Sequence, residues 1–186
     1  MKSAVMQKTN GIDVEALRQI VEEVSGDAAK GQVQFSVSTM WKGGTTSESR
    51  VDSWQLGGQT LPRNFTIRID EPAELLGGNS APNPQEMLMA SLNACMMVGY
   101  VAGCAMKGIE IQELEISTSG GLDLRGFLGL DSSVKPGYHE IDYTVRIRAK
   151  GSRADLEEIH KTVMATSPNY WNVANPVKLN SKLVVV

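Results

Sequence analysis

The chain of 186 residues has 18 lysines and arginines against 21 aspartates and glutamates, a formal net charge of -3, with 41% hydrophobic and 21% charged residues. These proportions are typical of an ordinary globular protein, and the length allows one domain with a substantial core. Because the sequence has no basic cluster, we expect neither a nucleic acid nor an anionic membrane as a partner.

We expect neither a leader peptide nor a membrane-spanning segment. The N-terminus lacks an apolar core followed by a small-residue cleavage site, and no stretch approaches about 20 apolar residues. A cytoplasmic location is therefore predicted, and a reducing compartment would keep Cys95 and Cys104 as thiols. Together with His139 and His160, these cysteines show none of the close paired spacings of zinc sites, so no metal is expected.

The N-terminal part of the chain predicts a helix followed by strands. Apolar residues at helical spacing predict an amphipathic helix that begins after Asp13 as its N-cap and stops at Gly26. Alternating apolar residues predict strands at 33–37 and 65–69. The segment between them, residues 41–59, is rich in Gly, Ser and Thr and is interpreted as a hairpin or a mobile loop.

The C-terminal part of the chain predicts helices and strands in turn. A long helix begins at Pro84, and strands are predicted around 114–118 and 141–147, on either side of a glycine-rich loop. A second helix follows Ser152, and a last strand contains residues 179–185. This order fits an α+β protein better than a doubly wound sheet. No glycine-rich nucleotide-binding motif follows a strand, so we expect no cofactor.

The central helix has a strong start signal and an unusually apolar body. Asn83 as N-cap, Pro84 at N1 and Glu86 at N3 form a capping box. From there to about Lys107 there is hardly a charge, so other structure must enclose the helix, and a second subunit is a predicted source of that enclosure. Small residues along it would allow neighbouring backbones to come close: Ala90, Ser91, Ala94, Gly99, Ala102 and Gly103.

Both cysteines lie on this central helix. Cys95 and Cys104 are about 13.5 Å apart along its axis, so they cannot form a disulfide within one intact helix. A buried structural thiol is the default interpretation of each. A reactive Cys95 would need a basic partner from elsewhere, because it lies beyond the first turn, where the helix dipole acts.

The segment "DEPAELLGGNSAPNPQEMLMASLNACMM" resembles the signature of the OsmC/Ohr superfamily, in which a DEP-x-x-L-GG segment leads into a cysteine-bearing helix. The later segment "ATSPNYWNVANPVKLN" lies where that superfamily has the end of its second central helix and a Cys-Pro-Val-like segment. The resemblance implies an α+β, OsmC-like fold, with antiparallel sheets wrapped around two central helices in an intertwined homodimer. It assigns residues 32–186 to that domain and residues 1–31 to an N-terminal helical extension.

The resemblance also implies a chemistry. Classical members reduce organic hydroperoxides with a cysteine at the position of Cys95, whose thiolate becomes sulfenic acid. A second cysteine then closes a disulfide, which a cellular dithiol reduces. That second cysteine falls at Ser167 in this sequence. Activity would therefore need a one-cysteine mechanism in which an external thiol reduces the Cys95 sulfenic acid, and Cys104 could take part only after a rearrangement or from another chain.

Further site residues are implied by the same resemblance. The arginine that stabilises the thiolate matches Arg50 best, with Arg63 and Arg68 as alternatives. The glutamate that orients this arginine falls at Gln85, and Glu86 matches a neighbouring acidic position. From the residues alone, Glu86 is interpreted as part of the capping box rather than as a catalytic group.

Two functions remain open. The first is thiol-dependent reduction of organic hydroperoxides through Cys95, and the second is a catalytically inactive homologue that binds a small apolar ligand. In the second case Cys95 would serve packing, and the aromatic pair Tyr170 and Trp171 would pack in the core or line a pocket. A cysteine hydrolase is disfavoured, since neither His139 nor His160 has a recognisable supporting motif.

Overall fold

The computed structural model describes residues 8–186, so the first seven residues of the predicted extension 1–31 lie outside the described part. The chain divides into two compact units, one ending at Ala90 and the other running from Ser91 to Val186. This division falls within helix α2 (Pro84–Met106). The boundary between an extension and an OsmC-like domain at residue 31 stays a prediction.

The first unit is built mainly from antiparallel strands. In its described part the elements before α2 are β1 (Lys8–Thr9), β2 (Ile12–Asp13), α1 (Val14–Gly26), β3 (Val33–Phe35), β4 (Ser38–Gly43), β5 (Thr46–Leu56) and β6 (Gln59–Ile69). Helix α1 begins and ends where predicted. Its start is capped by the Asp13 carboxylate, which accepts a hydrogen bond from the Ala16 amide at 3.0 Å. Short 3₁₀ turns follow α1 and β6.

Strand β5 is the centre of the four-stranded sheet. It pairs antiparallel with β3 and β4 and, from Ser47 to Leu56 with one register shift between Val51 and Ser53, with β6. Gly57 and Gly58 both have positive φ values, 55° and 79°, which the two-residue turn between β5 and β6 requires. The predicted hairpin is therefore confirmed, but the loop alternative for residues 41–59 is wrong. Polar residues on both faces of β5 conceal its alternation in the sequence.

A buried carboxylate ties the end of β6 to the segment that follows. Asp70 is 1% exposed and accepts hydrogen bonds from the hydroxyls of Ser80 and Thr45, both at 2.7 Å. It also accepts from the amides of Glu71, Gly78 and Ser80 at 2.9–3.1 Å. The hydrogen bond from the Ser80 hydroxyl, followed by that from Thr45, holds the pKa of Asp70 well below its usual range.

The second unit packs helices against a two-stranded antiparallel sheet. Beyond the start of α2, its elements are β7 (Ile111–Ser119), α3 (Leu124–Phe127), β8 (Asp142–Ala149), α4 (Arg153–Thr166) and α5 (Pro168–Ala174). Helix α4 follows Ser152 as predicted, whereas α5 was not predicted. The buried core of the unit contains Leu92, Met96, Tyr100, Cys104, Ile109, Ile116, Ile159 and Val163. The chain is thus α+β with antiparallel sheets, as predicted.

The strand predicted at residues 179–185 is wrong in this structure. Among the described residues no strand follows α5, and Leu179, Leu183 and Val185 are 89%, 86% and 85% exposed. Alternation shows that a segment is suited to a strand, but the strand also needs a neighbour whose backbone completes its hydrogen bonds. No such neighbour lies along this segment in the described chain.

The expectation about membrane-spanning length needs a correction. Among the described residues, α2 is one helix that is long and apolar enough, at 23 residues, to cross a membrane. The core helix of a globular protein meets the same test, because an apolar helix is enclosed either by protein or by lipid. Length and composition alone are therefore weak evidence for a membrane span.

Candidate active site

Cys95 is the more accessible of the two thiols. It lies on α2, next to the fully buried Met96, and its own side chain is only partly buried. Cys104 lies on the same helix and is 0% exposed, and this burial raises the pKa of its thiol. Cys104 is therefore held as a neutral, packed thiol, whereas Cys95 retains access to other molecules.

Ser167 is in contact with the sulfur of Cys95. Its Oγ atom lies 3.4 Å from Sγ of Cys95 and donates a hydrogen bond to it, while Ser167 itself is 6% exposed. Ser167 ends α4 through a 2.9 Å hydrogen bond from its amide to the Val163 carbonyl, and it is also the N-cap of α5. The structure therefore brings Cys95 together with Ser167, the residue at which the family resemblance predicts the resolving cysteine.

Two further contacts fix the start of α5 in the second unit. The Asn169 side-chain amide donates to the Ser91 carbonyl at 2.9 Å, one turn before Cys95 on α2. The ring of Tyr170 packs edge-on against Tyr143 with centroids 6.1 Å apart. Of the predicted aromatic pair, Tyr170 is thus packed, while Trp171 is 55% exposed. The sequence offered no signal for the Asn169 contact, since the two residues are 78 positions apart.

The best candidate arginine lies in the first unit, on β5. Arg50 is exposed, and its Nε lies 3.5 Å from a carboxylate oxygen of Glu48. Arg68 on β6 lies opposite Glu48 in the strand register, with its Nε 4.0 Å from a carboxylate oxygen of Glu48. Glu48 thus forms ion pairs with two of the candidate arginines. Glu48 lies two residues before Arg50, so both side chains are on the same face of the strand. This spacing is visible in the sequence but was not among the predicted site features.

The remaining candidates in the first unit have structural contacts. Arg63 lies over the ring of Phe65, 4.8 Å from its centroid. The Glu86 carboxylate accepts from the Asn83 amide, and the Asn83 side chain accepts from the Glu86 amide, both at 2.8 Å. The predicted capping box is confirmed, while Gln85 is exposed in the first turn of α2. Any catalytic role of Arg50, Gln85 or Glu86 stays a prediction.

The histidines are not arranged as general bases toward Cys95. The Tyr100 hydroxyl and Nδ1 of His160 form a hydrogen bond, and the two rings stack with centroids 6.1 Å apart. Burial, with a smaller contribution from Tyr143, raises the pKa of Tyr100 to about 12, so its hydroxyl stays protonated. His160 is thus packed against Tyr100, and His139 is exposed. Within residues 8–186, no three His, Cys, Asp or Glu side chains cluster to hold a metal.

The same region of the chain matches a known family. The sequence profile described as OsmC-like protein matches residues 77–182, which include both Cys95 and Ser167. The chain belongs to the OsmC-like protein family. This OsmC-like chain has no match among curated protein sequences.

Solved structures share the fold of this OsmC-like chain. An OsmC-like protein from Mycoplasma pneumoniae is 15% identical, with 76% of this chain and 87% of the other covered and a TM-score of 0.60. A putative osmotic stress induced and detoxification response protein from Psychrobacter arcticus is 16% identical, with coverages of 72% and 84% and a TM-score of 0.55. An OsmC-like protein of unknown function from Vibrio cholerae is 14% identical, with coverages of 74% and 91% and a TM-score of 0.54.

Proposed function

We propose that this OsmC-like protein reduces organic hydroperoxides through the thiolate of Cys95, with an external thiol as the final reductant. The hydrogen bond from the Ser167 hydroxyl to the Cys95 sulfur carries this proposal. It is supported by the partial exposure of Cys95 and by the buried state of Cys104, which leaves a single accessible thiol in the second unit. Membership of the OsmC-like family supports this reaction class.

The proposed reaction has two stages. In the first, the Cys95 thiolate attacks the peroxide, so that an S–O bond forms and the O–O bond breaks. The sulfur is oxidised to sulfenic acid by two electrons, and the leaving alkoxide takes up a proton to become an alcohol. In the second, one external thiol displaces water to form a mixed disulfide, and another releases the Cys95 thiol together with an external disulfide.

An external thiol is required because the chain offers no second accessible cysteine thiol at the site. The family resemblance predicts the resolving cysteine at Ser167, and a hydroxyl cannot form a disulfide. Cys104 is nine residues further along α2, far beyond the approximately 7 Å between Cα atoms that a disulfide allows.

Arg50 is the proposed stabiliser of the thiolate. Glu48 is the proposed replacement for the carboxylate that orients the arginine, since Gln85 has no negative charge. The ion pairs of Glu48 with Arg50 and Arg68 support this assignment. A carboxylate beside a guanidinium limits the rotamers of the arginine and thereby prepares it to meet an anion.

We propose a cytoplasmic homodimer as the working form. Support comes from α2, whose Val98 is 70% exposed and whose Leu88 is 40% exposed in the single chain, although the helix carries hardly a charge. Exposed apolar surface of this kind indicates a covering partner. Light scattering coupled to size exclusion tests the dimer, because a mass near 40 kDa is about twice the 20.1 kDa chain, whereas a monomer mass contradicts it.

Consumption of cumene hydroperoxide in the presence of dithiothreitol tests the function. We expect the wild type and Cys104→Ala to consume peroxide, and Cys95→Ser to fall to the uncatalysed rate. Dimedone and intact mass spectrometry should trap the sulfenic acid at Cys95 alone. Equal consumption by Cys95→Ser would overturn the proposal. An inert Cys95 in a folded wild type would instead favour the inactive homologue that binds a small apolar ligand.

A further inference from the structure

The hydroxyl of Ser167 has a fixed direction. A serine hydroxyl offers one proton and two lone pairs. The Tyr170 amide, which can only donate, points at Oγ of Ser167 from 3.4 Å and takes up one lone pair. The proton of Ser167 is then free to point at Sγ of Cys95, 3.4 Å away.

The backbone of Ser167 is held as firmly as its side chain. Its amide donates to the Val163 carbonyl at 2.9 Å, and its carbonyl accepts from the Trp171 amide at 3.0 Å. The residue is 6% exposed, so water competes little for its hydroxyl. A donor that is already oriented loses little freedom when its acceptor becomes charged, which is how preorganised groups stabilise an anion.

We propose that Ser167 is a positioning residue for the proposed peroxide reaction, because its hydroxyl holds the Cys95 sulfur as an oriented thiolate. A hydrogen bond to an anion is roughly twice as strong as one to a neutral acceptor, so the contact favours the thiolate over the thiol. A serine at the position where the resemblance predicts the resolving cysteine therefore does more than leave out a disulfide. It supplies a donor to the sulfur that remains.

The Ser167 hydroxyl can also hydrogen-bond to the oxidised form of Cys95. After the peroxide reaction, the oxygen of the sulfenic acid becomes an additional acceptor beside Ser167, and the hydroxyl can donate to it without any change in the backbone. The external thiol then attacks a sulfur whose oxygen accepts a hydrogen bond from Ser167. This inference rests on the proposed function, since it assigns a role within that reaction.

The test compares the pH dependence of Cys95 alkylation by iodoacetamide in full-length variants that also carry Cys104→Ala. Ser167→Gly removes the hydroxyl, yet glycine remains an acceptable N-cap, so the variant is expected to fold. We expect its pH profile to shift upward and its rate at neutral pH to fall about three- to tenfold, with an unchanged plateau at high pH. Ser167→Thr, which keeps a hydroxyl, should restore most of the rate.

Ser152→Ala is the matched control. It removes the serine N-cap of α4, whose Oγ accepts from the Asp155 amide at 3.1 Å, and should leave the alkylation profile unchanged. A Ser167→Gly profile that superimposes on that of the parent would overturn the role of Ser167, even if the protein consumes peroxide. Peroxide consumption is measured on the same samples, so a failure of the proposed function is seen separately, as a parent protein that consumes none.

Discussion

The Oγ atom of Ser167 lies 3.4 Å from the Sγ atom of Cys95, although the two residues are 72 positions apart in the chain. The contact is one of several along the antiparallel packing of α2 against α4. Four residues beyond Cys95, a Cβ on Gly99 would lie 3.0 Å from Val163, four residues before Ser167. Because side chains four apart share a helix face, the close approach at Gly99 brings the thiol and the hydroxyl together one turn away.

Ser167→Cys should convert the site into one that closes a disulfide. Because Oγ of Ser167 already lies 3.4 Å from Sγ of Cys95, a sulfur at that position would have to move by only about 1.4 Å to reach the approximately 2.05 Å of a disulfide bond. After one equivalent of organic hydroperoxide, we expect the intact mass of Ser167→Cys to fall by two hydrogens as Cys95 bonds to the introduced thiol. Reduction by dithiothreitol should restore the original mass.

The double variant Cys95→Ser with Ser167→Cys provides the control for this experiment. It retains Cys104, which is buried on another turn of α2, and should form no intramolecular disulfide. A disulfide in the control, or none in Ser167→Cys after peroxide, would contradict the geometry of the Cys95 and Ser167 pair.

Gly99→Ala should destabilise the protein and disturb the Cys95 site. The added methyl would meet a γ-carbon of Val163 at 3.0 Å, and Val163 is 2% exposed and β-branched, so it cannot turn aside easily. Overpacking of this kind costs about 1–3 kcal/mol, partly offset by the approximately 1 kcal/mol that alanine gains over glycine in a helix. Urea denaturation measures the change in the free energy of unfolding.

A double variant tests whether the cause is the contact with Val163. Val163→Ala frees space, so the Gly99→Ala substitution should cost less in that background than in the wild type. Gly121→Ala is the control, since a Cβ there would meet nothing within 4 Å. Additive effects of Gly99→Ala and Val163→Ala would count against the contact.

Local signals in the sequence predicted the three longer helices, α1, α2 and α4, but neither of the short helices α3 and α5. The Asn83 and Glu86 capping box and the Asp13 cap appear in the structure as hydrogen bonds, because a cap depends on residues within one turn. The small residues of α2 predicted a close neighbour, and Gly99 and Gly103 do have one. That neighbour is α4 of the same chain rather than only a second subunit, which composition alone could not distinguish.

Non-local features were harder to predict. Strand β5 was only partly recognised, because its pairing with strands on both edges stabilises a segment whose polar residues give no clear period. Residues 179–185 have an apolar pattern but no partner strand in the described chain. The family resemblance predicted the resolving-cysteine position at Ser167, which does contact Cys95, whereas the ion pair of Arg68 with Glu48 became visible only through the register of β5 and β6.

Cys104→Ser should be more destabilising than Cys104→Ala. Cys104 is 0% exposed among apolar neighbours, including Tyr100 and Ile159, so a serine hydroxyl there would be buried without an evident partner. Burial of an unpaired hydroxyl costs about 1–3 kcal/mol in proteins. Chemical denaturation of both variants measures the difference, and equal stabilities would contradict it. In the native wild type, Ellman's reagent should react with one thiol promptly and with the second only on unfolding.

Asp70→Asn should change how stability depends on pH. The pKa of Asp70 is lower in the folded protein than in the unfolded chain, so the unfolded state binds more protons as the pH falls. The contribution of this carboxylate is therefore complete above about pH 5, and it is lost as the pH falls through the unfolded value of about 3.9 and toward the lower folded value. We expect Asp70→Asn to be less stable than the wild type at pH 7, and this difference in stability to narrow progressively below pH 5.

Asp27→Asn, which alters an exposed cap of the 3₁₀ turn at Ala28–Gly31, is the control and should show a much smaller difference in stability at every pH. Thermal unfolding from pH 7 to pH 2 measures both variants, and a gap for Asp70→Asn that stays constant over this range would show that its ionisation is not linked to folding.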